Sequence, residues 1–326
     1  MSAGGAERAR RTAEHCSGPA LDRPAASRNE DSETAHWHLP FGGEYAARSV
    51  VDMSADGPTF DRPPVSEVAL AAYFSAPLPL RSAELGRLWH AWRAQYPRTA
   101  DHPPLPPVPR ETFDARRSLT PTVQFLPRPW GTRSWFLSET GERLIQLQPD
   151  RLVLNWRRLQ PGSPYPGYDV LRSVFAEAVQ HVQEVVRGLG YEAVTFEQAE
   201  VSYTNPVPSA PNLAGLVAPW SGTYSDAFLA EPEDVEIAAH YRITPTDGPT
   251  PVGRLHVQVA RARQISENTP EEVQLLQLFA RGVPARGDLE AALQFLDVAH
   301  RWVVNGFRSF TTPAMHRAWG LREEEA

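Results

Sequence analysis

Residues 144–158 read LIQLQPDRLVLNWRR. Apolar and polar side chains alternate with period two on both sides of Pro149-Asp150, the pattern of two half-buried strands joined by a tight turn. With the turn at Pro149-Asp150, Ile145 and Leu147 share one side with Leu152, Leu154 and Trp156. Gln146 and Gln148 then share the other side with Val153, Asn155 and Arg157. A slip of one residue would invert both sets, so the register is tightly specified. The hairpin commits the chain to an antiparallel sheet with one apolar face that something must cover. It also poses a question, whether the polar side is a site or only the wet side of a sheet.

The surrounding pattern extends that commitment. Strand-like runs at 133–138, 143–148 and 151–158 follow one another, with SETGER as the turn between the first two. After the corner PGSPYPGY, Leu171, Val174, Phe175, Ala178, Val182, Val185, Val186 and Leu189 step by three and four and predict a long helix, with Gly190 as its stop. Upstream, 63–74 reads as a strand and 82–97 as a helix, with Ser82 as its N-cap and Pro97 closing it. The Pro-rich run 101–111 can be neither helix nor central strand, and 196–207 reads as a further strand.

The second half repeats the plan. Strands are expected at 235–243, 253–263 and 271–282, the last of which propensity alone would also allow as helix. A helix over 289–308 follows, capped by Asp288, and a short final helix opens at Thr312-Pro313 and ends at Gly320. The fold class is therefore α+β, two units (62–210 and 211–326) of strand meander plus long helix, with antiparallel sheet and helices packed on one face. Whether the units share one sheet stays open. Residues 1–61, rich in Ala, Gly, Ser, Pro and charge, are read as a disordered leader.

Composition excludes several functions. The 326 residues contain a single cysteine, Cys16, so neither an internal disulfide nor a thiolate metal cluster can form. Every basic residue is Arg, which rules out Schiff-base chemistry and the usual P-loop, both of which need a Lys. The net charge of −7, with Arg scattered among acids, disfavours duplex DNA as a partner. No apolar run approaches a membrane span and the N-terminus lacks a signal-like apolar core, so a cytoplasmic location is expected.

No nucleophile elbow, zinc motif, calcium loop or dinucleotide fingerprint occurs, and no cofactor or metal is implied. Gln146, Gln148, Asn155 and Arg157 form one candidate polar stripe; His240, Arg242, His256 and Gln258 form its echo in the second half. Asp297, His300 and His316 form a C-terminal candidate cluster, in which an Asp–His pair could act as a general base. A histidine fastening the last helices is the competing reading. On 196–207, Glu197 and Glu200 precede Tyr203 and Asn205, which could line a pocket or a wet edge. His36 and His38 flank Trp37 but have no third ligand nearby. The tryptophans, several beside Arg, fit core packing better than base stacking.

The blocks PPVSEVALAAYF, RLWHAW, LIQLQPDRLVLNWRR with YPGYDVLRSVF, EVSYTNPV and LDVAHRWVVNGFRSFTTPAMHRAWG together resemble an uncharacterised, sporadically distributed prokaryotic protein family, over about residues 63–320. The resemblance implies a shared fold unit and no chemistry; its patchy distribution suits an accessory role in defence or a toxin–antitoxin-like system. The leading expectation is a non-catalytic interaction module that meets a protein partner through the polar sheet face. The alternatives are a hydrolase-like enzyme built from His, Glu and Asp, and a small-ligand sensor with an apolar cavity.

Overall fold

A computed structural model describes residues 57–113, 132–160, 162–207, 213–220, 235–245, 248–266 and 269–322. The leader up to residue 56, with Cys16, His36 and His38, lies outside the described residues. In chain order the elements are β1 (Thr59–Phe60), β2 (Glu67–Phe74), α1 (Ser82–Trp92), β3 (Arg98–His102), β4 (Arg133–Leu137), β5 (Arg143–Gln148) and β6 (Arg151–Arg157). Then come α2 (Tyr168–Gly188), β7 (Phe196–Val207), the short α3 (Leu213–Leu216) and a single 3-10 turn at Ala218–Trp220. The chain continues through β8 (Ile237–Ile243), β9 (Gly253–Ser266), β10 (Thr269–Gly282), α4 (Leu289–Phe310), α5 (Pro313–Trp319) and β11 (Leu321–Arg322). No helix of the described residues is long and apolar enough to cross a membrane.

Nine strands form one antiparallel sheet in the order β3-β4-β5-β6-β2-β7-β10-β9-β8. Strands of both halves of the chain therefore lie in one continuous sheet. Its middle is the antiparallel pair β2–β7, in which Leu70 faces Val201. Each of these strands leads to a short helix and a meander whose last strand returns to pair with it, the four strands β3 to β6 ending on β2 and the three strands β8 to β10 ending on β7. A long helix closes each circuit, α2 for the first and α4 for the second. In connectivity β7 thus stands in the second circuit where β2 stands in the first.

The hairpin register follows the alternation. Ile145 pairs with Leu154, Leu147 with Leu152, and Gln146 with Val153. Continuing across β2, Leu154 pairs with Leu70 and Trp156 with Val68, so the apolar set carries through to the centre of the sheet. The helices cover that face. Leu171, Phe175, Ala178, Val179, Val182 and Val186 of α2 are buried there, as are Ala292, Leu296, Ala299, Val303 and Phe307 of α4. Burial of a side chain of this size stabilises by about 1.5–3 kcal/mol, which is why the three-and-four spacing was so legible.

The ends of the long helices follow their sequence signals. Gly190 adopts φ 81° just past α2, a left-handed stop that a Cβ would strain. The Asp288 side chain accepts the Ala291 N–H at 2.8 Å and caps α4. The start of α1 differs from expectation. The residue before the helix is Arg81, not Ser82, and its N–H donates to Glu84 Oε2 at 2.7 Å. A carboxylate two residues into the helix satisfies the entry as well as a serine hydroxyl would.

Residues 57–61, at the end of the stretch read as leader, are ordered by contacts with the C-terminus. β1 pairs with β11, and the Phe60 ring meets Phe307 edge-on at 5.4 Å. Phe295 of α4 sits over Gly253 and Gly282, which pair across β9–β10. A Cβ on Gly282 would lie 2.5 Å from Phe295 Cζ, so the two glycines make the space that this ring fills.

Candidate functional site

All eight residues of the two polar stripes lie on the sheet face opposite the helices, as the registers of β5–β6 and β8–β9 require. The stripes stand on either side of β2, β7 and β10. On the first side, Arg133 Nη1 donates to Gln146 Oε1 at 3.2 Å, Gln146 Nε2 to Asn155 Oδ1 at 2.7 Å, and Asn155 Nδ2 to Glu67 Oε1 at 2.6 Å. Arg157 donates to the Gly141 carbonyl at 2.9 Å and lies over the Trp135 ring. On the second side, the rings of His240 and His256 meet edge-on at 4.9 Å. Arg242 and Gln258 are exposed.

The Pro-rich run after β3 joins the two sides. Leu105 exchanges two hydrogen bonds with Gln148, its N–H donating at 3.1 Å and its carbonyl accepting at 3.2 Å. The Pro106 carbonyl accepts from Arg151 Nη2 at 2.7 Å, and the Glu111 N–H donates to Gln198 Oε1 at 2.8 Å. The Glu111 carboxylate then bonds Arg254 and, at 2.8 Å, His256 Nε2. From β5 to β9 the run crosses five strand spacings, about 24 Å. Six residues of polyproline-like chain supply about 19 Å, and the side chains of Gln148 and Glu111 span the remainder. Prolines suit this path because they bring no N–H that would need a partner. Gln148, Gln198 and His256 are thus buried polar groups satisfied by the chain's own strap.

A cavity of about 520 Å³ lies on the opposite side of the sheet, under α4. Its walls come from residues 57–65, the corner before α2, the helix face of β7 and β10, and α4. Tyr203 and Asn205 line it, as do Asp297 and His300 of the C-terminal cluster. None of the eight sheet-stripe residues does, and neither does His316. Instead, His316 Nε2 is 3.0 Å from Thr311 Oγ1, fixing the start of α5, and burial holds its pKa below the ordinary value.

The cavity's polar groups form two linked sets. Tyr165 and Tyr203 hydroxyls are 2.8 Å apart, and the Tyr203 hydroxyl is 3.1 Å from His300 Nδ1. The Tyr168 ring stacks flat on His300, with centroids 3.9 Å apart and planes within 1°. The Tyr168 hydroxyl donates to Asp297 Oδ1 at 2.8 Å, and Arg172 grips the same carboxylate with Nε at 2.6 Å and Nη2 at 2.9 Å. The structure therefore links Asp297 to His300 through Tyr168, bonded to the one and stacked on the other. Burial pushes Tyr165 up to about 12 and Tyr203 well above the ordinary phenol value; burial and then the Asp297 charge do the same for Tyr168.

These phenols stay protonated across the physiological range. A chain of two hydroxyls and an imidazole can run in two directions. It presents Tyr165 to the cavity as an acceptor when each hydroxyl donates toward His300, and as a donor when the imidazole N–H starts the chain. Either hydrogen-bonding character can therefore be offered to a bound molecule without a change of charge. Tyr165, Tyr168 and Arg172 were not singled out in the sequence, the first two because they sit in a corner that reads as a turn, and Arg301 stood out only as the neighbour of Trp302. Two tyrosines flanking Gly167 at a helix entrance are the signal that was available.

No protein-family model matches this chain, and no curated protein matches it.

Proposed function

We propose that this protein binds a small organic molecule in the cavity beneath α4. The observation that carries this reading is the 520 Å³ cavity whose wall combines apolar side chains with the Tyr165–Tyr203–His300 chain. A volume of this order suits a small ligand, and a few convergent polar groups on an apolar wall are what orient one. Among the three functions considered from sequence, this is the small-ligand one, though with a polar element where a dry cavity was expected. A thermal-shift screen against a broad panel of metabolites tests it. A ligand that raises the melting midpoint of the native chain should fail to do so with Val304→Phe, which fills the cavity from α4. Silence across the panel would remove the reading's main support.

A second reading, the interaction module, draws on the edge strand β8. It ends the sheet among the described residues, and the side chain of Tyr241 on it is 43% exposed, between His240 and Arg242. A partner segment could add to that edge as a further strand. Affinity capture with the native chain and with Tyr241→Asp should then differ in a specific protein; identical captures would discard this reading.

A further inference from the structure

We infer that the ligand of this cavity is a carboxylic acid, a monoanion with an apolar or aromatic body, and that Arg301 receives its carboxylate. The inference rests on the cavity being a ligand site.

Arg301 stands on the cavity wall, and its Nε is buried without a hydrogen-bond partner. Among the described residues its guanidinium makes no ion pair and no hydrogen bond. Three other arginines are engaged in ion pairs: Arg172 holds Asp297, Arg254 holds Glu111 and Arg281 holds Glu200. Arg133, Arg157 and Arg158 also carry an unpartnered Nε. However, Arg133 donates through Nη1 to Gln146, Arg157 through Nη2 to the Gly141 carbonyl, and Arg158 lies over the Trp156 ring. Among these, Arg301 alone is both unpartnered and on the wall of the cavity. A guanidinium offers a planar fork of donors that fits a carboxylate with two parallel bonds, and a buried donor left unmade is costly.

The wall also limits the ligand's charge. Asp297 is already neutralised by Arg172, whereas Asp169 at the start of α2 lines the cavity and is exposed. One free cation matches one carboxylate; a phosphate dianion would bring a second negative charge toward Asp169 with nothing to offset it. Val65, Leu278, Val303 and Phe307 supply the apolar wall for the body of the acid. The Tyr165–Tyr203 hydroxyls stand ready to donate to, or accept from, a polar group elsewhere on it.

The test is isothermal titration of the full chain near neutral pH with phenylacetate, 3-phenylpropionate and octanoate, each beside its primary amide. At least one acid should bind roughly tenfold or more tightly than its amide, the loss expected when a charge-assisted pair is replaced by a neutral one. Arg301→Gln should erase the difference, and Arg301→Lys should restore part of it. Circular dichroism should show both variants folded, with Arg301→Gln melting no lower than the wild type. If acid and amide bind equally and Val304→Phe abolishes both, the cavity is a ligand site but the carboxylate assignment falls. If no acid and no amide binds, both fall. The comparison of acid with amide on the wild-type chain stands even if a variant fails to fold.

Discussion

His256 Nε2 lies 2.8 Å from Glu111 Oε1, joining the first part of β9 to the end of the strap that leaves β3 at the opposite edge of the sheet. Arg254, two residues earlier on β9, bonds the same carboxylate, and all three side chains are nearly inaccessible. An ionised carboxylate can only accept, so the imidazole donates here from Nε2. One side chain thus fastens a crossing that runs over most of the sheet, and it does so from residues 103–113, which are neither strand nor helix.

Removing that carboxylate leaves a buried arginine without its partner, which costs about 3–5 kcal/mol. Glu111→Ala should therefore lower the urea midpoint substantially. Limited proteolysis should open the chain between 103 and 113, where the wild type resists. Glu111→Gln keeps the shape and the bond to His256 and should cost less than Glu111→Ala. A change below about 1 kcal/mol for Glu111→Ala, the ordinary worth of a single hydrogen bond, would show that the strap is held by its backbone contacts alone.

Tyr203 is the middle of the chain from Tyr165 to His300, so Tyr203→Phe removes a hydrogen bond from each of them. Removing these two part-buried hydrogen bonds should cost about 1–3 kcal/mol, to be read as a loss in denaturant stability with the fold retained. The phenols also set an alkaline limit. Burial pushes Tyr165 up to about 12, above an unfolded value of about 10. A group whose folded pKa is raised contributes stability that is complete below the unfolded pKa and declines as pH rises toward the folded one. Stability should therefore hold to about pH 10 and fall between about 10 and 12. Phenolate absorbance should show a late-ionising class of tyrosines, one member of which disappears in Tyr203→Phe.

The contrast between these two predictions shows what a sequence of this kind discloses. The hairpin at 144–158 was legible because burial on one face imposes a period of two, and both long helices because burial imposes steps of three and four. The polar stripes were legible for the same reason, as the residues left over. What covers them was not, because Glu111 reaches Arg254 and His256 across more than 140 residues of chain, and no local period encodes a contact of that range. β3 at Arg98–His102 was missed because its exposed edge position leaves RTADH without an apolar alternation. The cavity was half legible. Asp297, His300, Tyr203 and Asn205 stood out as polar residues on apolar faces, whereas Tyr165 and Tyr168 belong to a Gly/Pro corner whose turn residues hide their role.

Asp288 tests a feature that was local enough to be read. Its carboxylate takes the Ala291 N–H at 2.8 Å and stands at the positive end of a helix of 22 residues. Asp288→Ala should lower the urea midpoint, the usual effect of losing an N-cap. Asp288→Ser should recover most of the loss, since a hydroxyl can accept the same N–H. Arg286 also touches this carboxylate, but the pair is exposed and screened, so Arg286→Ala should change stability far less than Asp288→Ala. Equal losses for the two would mean that the ion pair, not the cap, holds the helix start.

Gly282 tests how α4 is seated, and with it the cavity that α4 roofs. A Cβ there would lie 2.2 Å from the Val252 carbonyl oxygen and 2.5 Å from Phe295 Cζ. The first obstacle is backbone and cannot rotate away; the second is a ring held between helix and sheet. Gly282→Ala should cost about 1–3 kcal/mol through overpacking. Shortening the ring separates the two contributions. In the double variant Gly282→Ala with Phe295→Leu, the ring clash is gone but the carbonyl contact remains, so part of the loss should be recovered and part should persist. The coupling in that cycle measures the ring's share directly. If the two losses simply add, Phe295 does not press on the glycine pair, and α4 is seated by its other buried side chains.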